Sequence, residues 1–177
     1  MKIGIDISQL AYQNTGVANY LQNLVEELVK NRDHEFVLFF SSLRRQVPPA
    51  ILEIAQLPNV KLKTLKLPPK AMHIMWNLMH QVPIETFIGP VDIFITSDWT
   101  EPPSKAKKAT IVYDTIIYKY PQETSDKIVG VQKSKLDWVK KESDIIFCIS
   151  ESTKNDVHKI LGIDESKLKV IYPGLTL

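Results

Sequence analysis

The side chains suited to chemistry fall in four short stretches of the chain, residues 6–16, 96–101, 113–118 and 150–152. The first three contain the aspartates Asp6, Asp98 and Asp114, with Trp99 beside Asp98, and the last holds Ser150 and Glu151. Gly16 opens an apolar-periodic segment, after Thr15 and before Val17. Helix N-termini present unpaired N–H groups and a partial positive charge, so a phosphate suits such a place. A bare turn suits the same glycine equally well, and spacing leaves both readings open. Tyr113, beside Asp114, brings a hydroxyl that can donate a hydrogen bond but titrates at about pH 10. His73 and His80 stand seven residues apart. Helical metal-ligand pairs stand four apart, and no carboxylate pair completes a set, so no metal site is expected. Lys105, Lys107 and Lys108 precede a strand and read as a solvated turn. Cys148, the one cysteine, lies between Phe147 and Ile149 and reads as a buried strand thiol.

Placing these stretches together requires strands that end along one edge of a sheet. Ile3, Ile5 and Ile7 start a buried first strand that ends near Ser8. Val17, Tyr20, Leu21, Leu24, Val25, Leu28 and Val29 then recur at helical spacing, with Asn14 or Thr15 as the cap. Residues 36–40 form a second buried strand. Strand, helix, strand at this spacing is a βαβ unit and implies parallel pairing. Residues 48–57 read as a short helix with proline in its first turn. Residues 60–67 alternate apolar residues with Lys61, Lys63 and Lys66, the pattern of an edge strand blunted by lysines. Residues 71–87 read as one helix rich in Met and Trp, and residues 91–96 as a strand. Further strands are expected at 109–113, 145–149 and 168–172, and helices at 125–142 and after a cap at Ser150 or Ser152, with Gly162 closing the latter. The expected whole is an α/β fold, a doubly wound, mostly parallel, Rossmann-like sheet of about six or seven strands. Ligands of such sheets bind beyond the carboxyl ends of the strands, which is where the four stretches fall.

The chain has 177 residues, the size of one domain, and a formal net charge of +2. That balance gives no footprint for nucleic acid. A single cysteine excludes a disulfide framework. No apolar run approaches the roughly 18 residues that span a bilayer, and the opening residues do not form a signal peptide, so a cytoplasmic protein is expected. The loop after the first strand lacks Gly-x-Gly-x-x-Gly, which argues against a dinucleotide dehydrogenase. The phosphate loop of NTPases and the Gly-x-Ser-x-Gly of α/β-hydrolases are absent too.

Four segments carry a resemblance, in one order along the chain. They are Lys-Ile-Gly-Ile-Asp with Asn14-Thr15-Gly16-Val17; Val112-Tyr113-Asp114 with Tyr120-Pro121; Ser143-Asp144 through Ser150-Glu151-Ser152-Thr153-Lys154; and Lys167-Leu168-Lys169-Val170-Ile171-Tyr172-Pro173-Gly174. Together they resemble the N-terminal domain of family-four ("group 1") glycosyltransferases of the GT-B type. The resemblance implies transfer of a sugar from a nucleotide-sugar donor, with retention of configuration and without a bound metal or other cofactor. It implies one acceptor-side domain over residues 1–177, ending at an interdomain linker at about 173–177. The donor-binding C-terminal domain would be a partner absent from this sequence, and the chain alone would turn over poorly. The acceptor could be a lipid carrier, a polysaccharide or a small molecule, with placement in the cytoplasm or at the inner face of a membrane. Carried onto this chain, the matching puts Thr15, Gly16 and Val17 near the donor phosphate or sugar. It puts Tyr113, Asp114, Ser150 and Glu151 along the acceptor cleft, and the strand-end rule adds Asp98 and Trp99 to that cleft. Tyr113 stands where the family has a histidine.

Two other readings fit the same scaffold. One is a non-enzymatic Rossmann-like binding or regulatory module, although no acidic pair follows the first strand as a receiver-type site requires. The other is an interaction scaffold that docks an apolar face onto a partner.

Overall fold

The isoleucines of the first strand are buried on both sides, as a central parallel strand demands. In the computed structural model, which describes residues 1–96 and 98–174, β1 (Lys2–Asp6) pairs with β2 (Glu35–Ser41) on one side and β4 (Ile93–Thr96) on the other. The remaining strands are β3 (Val60–Leu65), β5 (Lys107–Val112), β6 (Ile145–Cys148) and β7 (Leu168–Val170). They form one seven-stranded sheet in the order β3-β2-β1-β4-β5-β6-β7, every pair parallel. The chain winds outward from β1 to β3, returns to the centre at β4, and winds the other way to β7. The reversal between β1 and β4 leaves a crevice at the carboxyl edge, where helices diverge to opposite faces.

Local chemistry explains each element. Gly4 lets β1 approach β4, since a Cβ there would lie 2.8 Å from the Phe94 ring and 2.9 Å from Ile88. The helix α1 (Gly16–Leu28) starts at Thr15, whose hydroxyl accepts from the Ala18 amide at 3.2 Å. Its Ala18, Leu21 and Val25 are buried against β1 and β2 in one core. Each such burial of a Leu or Val stabilises by roughly 1.5–3 kcal/mol. Short α2 (Pro49–Ile54) leads to β3, which lies at the sheet edge with Lys61 and Lys63 exposed, as the alternation implies. α6 (Asp126–Glu142) and α7 (Glu151–Leu161) cover the other half, α7 ending at Gly162 in the left-handed region at φ 63°. Cys148 is fully buried, and burial pushes its thiol up to about 11.

The expected single helix over residues 71–87 is broken. α3 (Pro69–Met72) runs into a π-helical stretch, His73–Leu78, and the chain then turns before α4 (Glu85–Ile88). His80 and Val82 take positive φ angles of 50° and 64°, and Pro83 follows. Tertiary bonds hold this break. Trp76 is fully buried beside Phe39 and Phe87, and its Nε1 donates to the Val82 carbonyl at 2.9 Å. His73 and His80 therefore do not share a helix face: His80 stacks on Trp138 with ring centres 3.5 Å apart and bonds Glu142 at 2.8 Å. A short helix α5 (Ile116–Lys119), not foreseen from the sequence, follows β5.

The lysines before β5 also differ from a solvated turn. Lys107 opens the strand, and Lys108 is buried with Nζ between Glu101 at 3.0 Å and Glu142 at 2.8 Å. Glu101, fully buried, also accepts from Thr96 at 2.6 Å and from Thr110 at 3.2 Å. Burial of so many polar groups is tolerable only because each is paired. The network anchors the segment that leaves β4 and so fixes what lies beyond it.

Candidate functional site

The loop beyond β4 carries Asp98 and Trp99 into the crevice. Asn77, from the π-helical stretch, holds it from below: its Nδ2 donates to the Trp99 carbonyl at 2.9 Å, and its Oδ1 accepts from the Glu101 amide at 3.0 Å. Gln132 of α6 holds it from the side, donating to the Asp98 carboxylate at 3.0 Å and to the Asp98 carbonyl at 3.1 Å. Trp99 Nε1 is buried and has no hydrogen-bond partner among the described residues. Beyond β1, the Asp6 carboxylate accepts from the Ser8 amide at 2.9 Å, and the Ser8 hydroxyl accepts from the Ser41 amide at 2.9 Å. Two turns of chain at the switch point are thus tied to their neighbours through side-chain oxygens.

Two adjoining cavities open here. The smaller, about 180 Å³, is lined by Val17, Asp98, Trp99, Tyr113, Asp114 and, from α6, Gln132 and Lys135, among others. The larger, about 810 Å³, runs toward β2 and α3, with Asp6, Tyr12, Arg45, Met72 and Lys127 among its walls. Asp98, Trp99 and Ile128 belong to both, so the Asp98 loop forms the ridge between them.

Five of the expected site residues, Val17, Asp98, Trp99, Tyr113 and Asp114, therefore meet in one cavity. The other four line neither cavity. Thr15 and Gly16 are exposed at the start of α1, next to Val17, with Thr15 occupied as the cap and donating to the Tyr12 carbonyl at 3.1 Å. The Ser150 hydroxyl is occupied as the cap of α7, accepting from the Thr153 amide at 3.1 Å, and Glu151 is exposed in the first turn. Tyr113 is buried, its ring edge-on to Tyr20 at 5.6 Å, and its carbonyl accepts from Thr153 Oγ1 at 3.2 Å. Tyr20 in turn donates to the Ile171 carbonyl at 3.2 Å, and burial raises its phenol above the ordinary value. Asp114 is exposed and accepts from the Ile116 amide at 3.0 Å.

Charge under the ridge is concentrated on one lysine. Lys135 of α6 is buried, and burial pushes its ammonium below the ordinary value, against the pull of Glu101, Asp98 and Asp6. Burial likewise raises the Asp98 carboxyl, opposed by Lys135 and Gln132, and the Asp6 carboxyl, opposed by Ser8 and Lys135. A carboxyl raised in this way is a more basic acceptor for a hydroxyl proton than a solvated one.

Lys135 and Gln132 escaped the sequence reading, as did the cations of the larger cavity. A signal existed. Gln132, Leu136 and Val139 lie on one stripe of α6, and Lys135 adjoins it, a place where a lysine must meet buried partners. Among the described residues, no three His, Cys, Asp or Glu side chains gather as a metal set.

The family model described as Glycosyltransferase Family 4 matches residues 14–177. Among solved structures, a glycosyltransferase from Rickettsia africae ESF-5 aligns at a TM-score of 0.54 and 17% identity, over 98% of this chain and 43% of that one. A UDP-GlcNAc 2-epimerase from Neisseria meningitidis, solved with UDP-GlcNAc, aligns at 0.51 and 14%, over 96% of this chain and 46% of that one. This chain spans less than half the length of either, and at such identities the likeness shows the fold. No curated protein sequence matches it.

Proposed function

The chain belongs to Glycosyltransferase Family 4, and from that premise we propose that it forms the acceptor-side half of a retaining glycosyltransferase, working with a donor-binding domain that faces its crevice. In the reaction, the bond from the sugar's anomeric carbon to the donor diphosphate breaks and a bond to an acceptor oxygen forms. The acceptor hydroxyl gives its proton to the Asp98 carboxylate, which returns it to solvent, and the nucleoside diphosphate departs. The observation that supports this reading most is the meeting of Val17, Asp98, Trp99, Tyr113 and Asp114 in one cavity at the switch point, next to a cleft large enough for an acceptor.

Roles follow from chemistry. Asp98, on the ridge between the cavities, accepts a hydrogen bond from the acceptor hydroxyl. The amides of Gly16 and Val17, at the exposed start of α1, suit the donor's phosphate or sugar. Thr15 fixes their orientation through its cap. Tyr113 supplies a neutral donor where the family's histidine would stand. Asp114 lines the smaller cavity with Asp98, and Ser150 and Glu151, which line neither cavity, suit a rim that a second domain would face. The domain would span residues 1–177; of the linker over 173–177, residues 175–177 lie outside the described part of the chain. Among the described residues no helix is long and apolar enough to cross a membrane; we place the protein in the cytoplasm or at the inner membrane face.

The test mixes the chain with a C-terminal donor domain and a panel of nucleotide-sugars and acceptors, with mass detection of product. Turnover in the mixture, and not in the chain alone, is the expected result. Efficient transfer by the chain alone, or none in any mixture, would overturn the reading.

A further inference from the structure

The larger cavity carries a charge pattern that names its ligand's chemistry, given the acceptor-side reading above. Its walls are largely apolar: Tyr12, Leu43, Pro68, Met72, Ile128 and Val131. Arg44, Arg45, Lys70 and Lys127 also line it, all four exposed, and they come from three separate parts of the chain. The acids among its lining residues are Asp6, buried, and Asp98 on the ridge; neither has the exposure of the four cations. Arg45 is already positioned, its guanidinium donating to the Ala11 carbonyl at 2.8 Å and lying 5.0 Å from the centre of the Tyr12 ring. Over the whole chain, 22 basic residues face 20 acidic ones, so four exposed cations around one apolar cleft are a local excess.

We propose that this cleft binds an acceptor with a phosphoryl group on an apolar body, the phosphoryl among Arg44, Arg45, Lys70 and Lys127 and the accepting hydroxyl at Asp98. Cations from three parts of the chain line the cleft, and Arg offers a phosphoryl group a fork of donors. The apolar body gains from leaving water against the Tyr12, Leu43 and Met72 side. A neutral sugar acceptor would leave the cations without use, and a bare phosphate would leave the apolar walls without use.

The test is calorimetry on the 177-residue chain with decyl phosphate, decyl glucoside and inorganic phosphate, repeated on the triple variant Arg44→Gln, Lys70→Gln, Lys127→Gln. Those side chains are exposed, so the variant keeps its fold, which far-UV circular dichroism checks. Decyl phosphate should bind at least about tenfold more tightly than either other probe, a factor worth about 1.4 kcal/mol. The triple variant should lose that preference while its weak binding of decyl glucoside stays the same. Equal binding of decyl phosphate and decyl glucoside, or an unchanged variant, would overturn the proposal, as would inorganic phosphate binding as tightly as decyl phosphate. Flotation with phosphatidylcholine vesicles, with and without phosphatidic acid, separates two supporting cases. Capture only with phosphatidic acid assigns the phosphoryl to a bilayer lipid, and no capture assigns it to a dispersed amphiphile. No donor is present in these experiments, so their failure leaves the glycosyltransferase reading to be judged by product formation alone.

Discussion

Gln132 holds Asp98 at two atoms at once, its side-chain nitrogen donating to the carboxylate at 3.0 Å and to the main-chain carbonyl at 3.1 Å. The first contact favours the charged form of an acid that burial otherwise pushes upward. Replacing Gln132 by Leu removes that donor, so the Asp98 carboxyl should rise further. If Asp98 must be ionised to accept the hydroxyl, transfer by the assembled enzyme falls as pH drops through the Asp98 value. The acid limb of the pH–rate profile should then move to higher pH in Gln132→Leu. An acid limb that stays in place would separate Asp98 from the reaction.

Much of this arrangement was legible in the sequence, for a physical reason. β1 and β2 are buried runs, and the stripe from Val17 to Val29 has a single helical period; both signals are local. The lysines of β3 announced an edge because alternation is local too. What stayed hidden was long-range. Nothing near Asn77 in sequence indicates that it ties Trp99 to Glu101, yet that tie, with the burial of Trp76, breaks the helix expected over 71–87. Lys108 looked like surface because its partners, Glu101 and Glu142, come from the loop between β4 and β5 and from the end of α6. Lys135 escaped for the same reason, since its acids lie at the ends of other strands.

Asp6 should weaken the fold at neutral pH. Its folded carboxyl is raised above the ordinary value of 3.8, mainly by burial. A raised carboxyl holds its proton better in the folded state, so its contribution is fully present below the unfolded value and is lost as pH rises through the folded one. Asp6→Asn keeps an oxygen for the Ser8 amide and carries no charge. Its Tm should exceed that of the parent at pH 7, and the difference should vanish at the acid end of the range. Calorimetric melts across pH check the sign, and a lower Tm at pH 7 would contradict it.

Lys108→Met should be among the costliest single changes. It takes from Glu101, fully buried, the cation that pairs with it directly at 3.0 Å, and removes the link from Glu101 to Glu142. Breaking one side of a buried pair costs about 3–5 kcal/mol. Urea denaturation should show that loss, and the double variant Lys108→Met, Glu101→Gln should recover part of it. A double variant no more stable than the single one would mean that Thr96, Thr110 and the charge of Lys135 suffice to hold Glu101 without Lys108.

Ser150 serves α7 whatever the cleft does. Its hydroxyl accepts from the Thr153 amide and meets Thr153 Oγ1 at 3.0 Å. Ser150→Ala should cost about 1 kcal/mol, and Ser150→Asp should restore it, as cap replacements do. Chemical denaturation measures both. A role in the acceptor cleft would add a loss of transfer that Ser150→Asp does not repair.

Tyr113→Phe separates the ring from its hydroxyl. The ring is buried edge-on to Tyr20, so the phenylalanine keeps that packing and should cost the fold far less than emptying the site. If the hydroxyl donates to a substrate in the smaller cavity, losing it removes one hydrogen bond, about 1–1.5 kcal/mol. Transfer by the assembled enzyme should then fall about five- to tenfold, in kcat/KM. Tyr113→Ala is the contrast, since emptying the ring's volume costs about 3–5 kcal/mol and weakens the fold itself. A phenylalanine variant with full transfer would show that this position contributes packing alone, and that the family's histidine has no working counterpart at Tyr113.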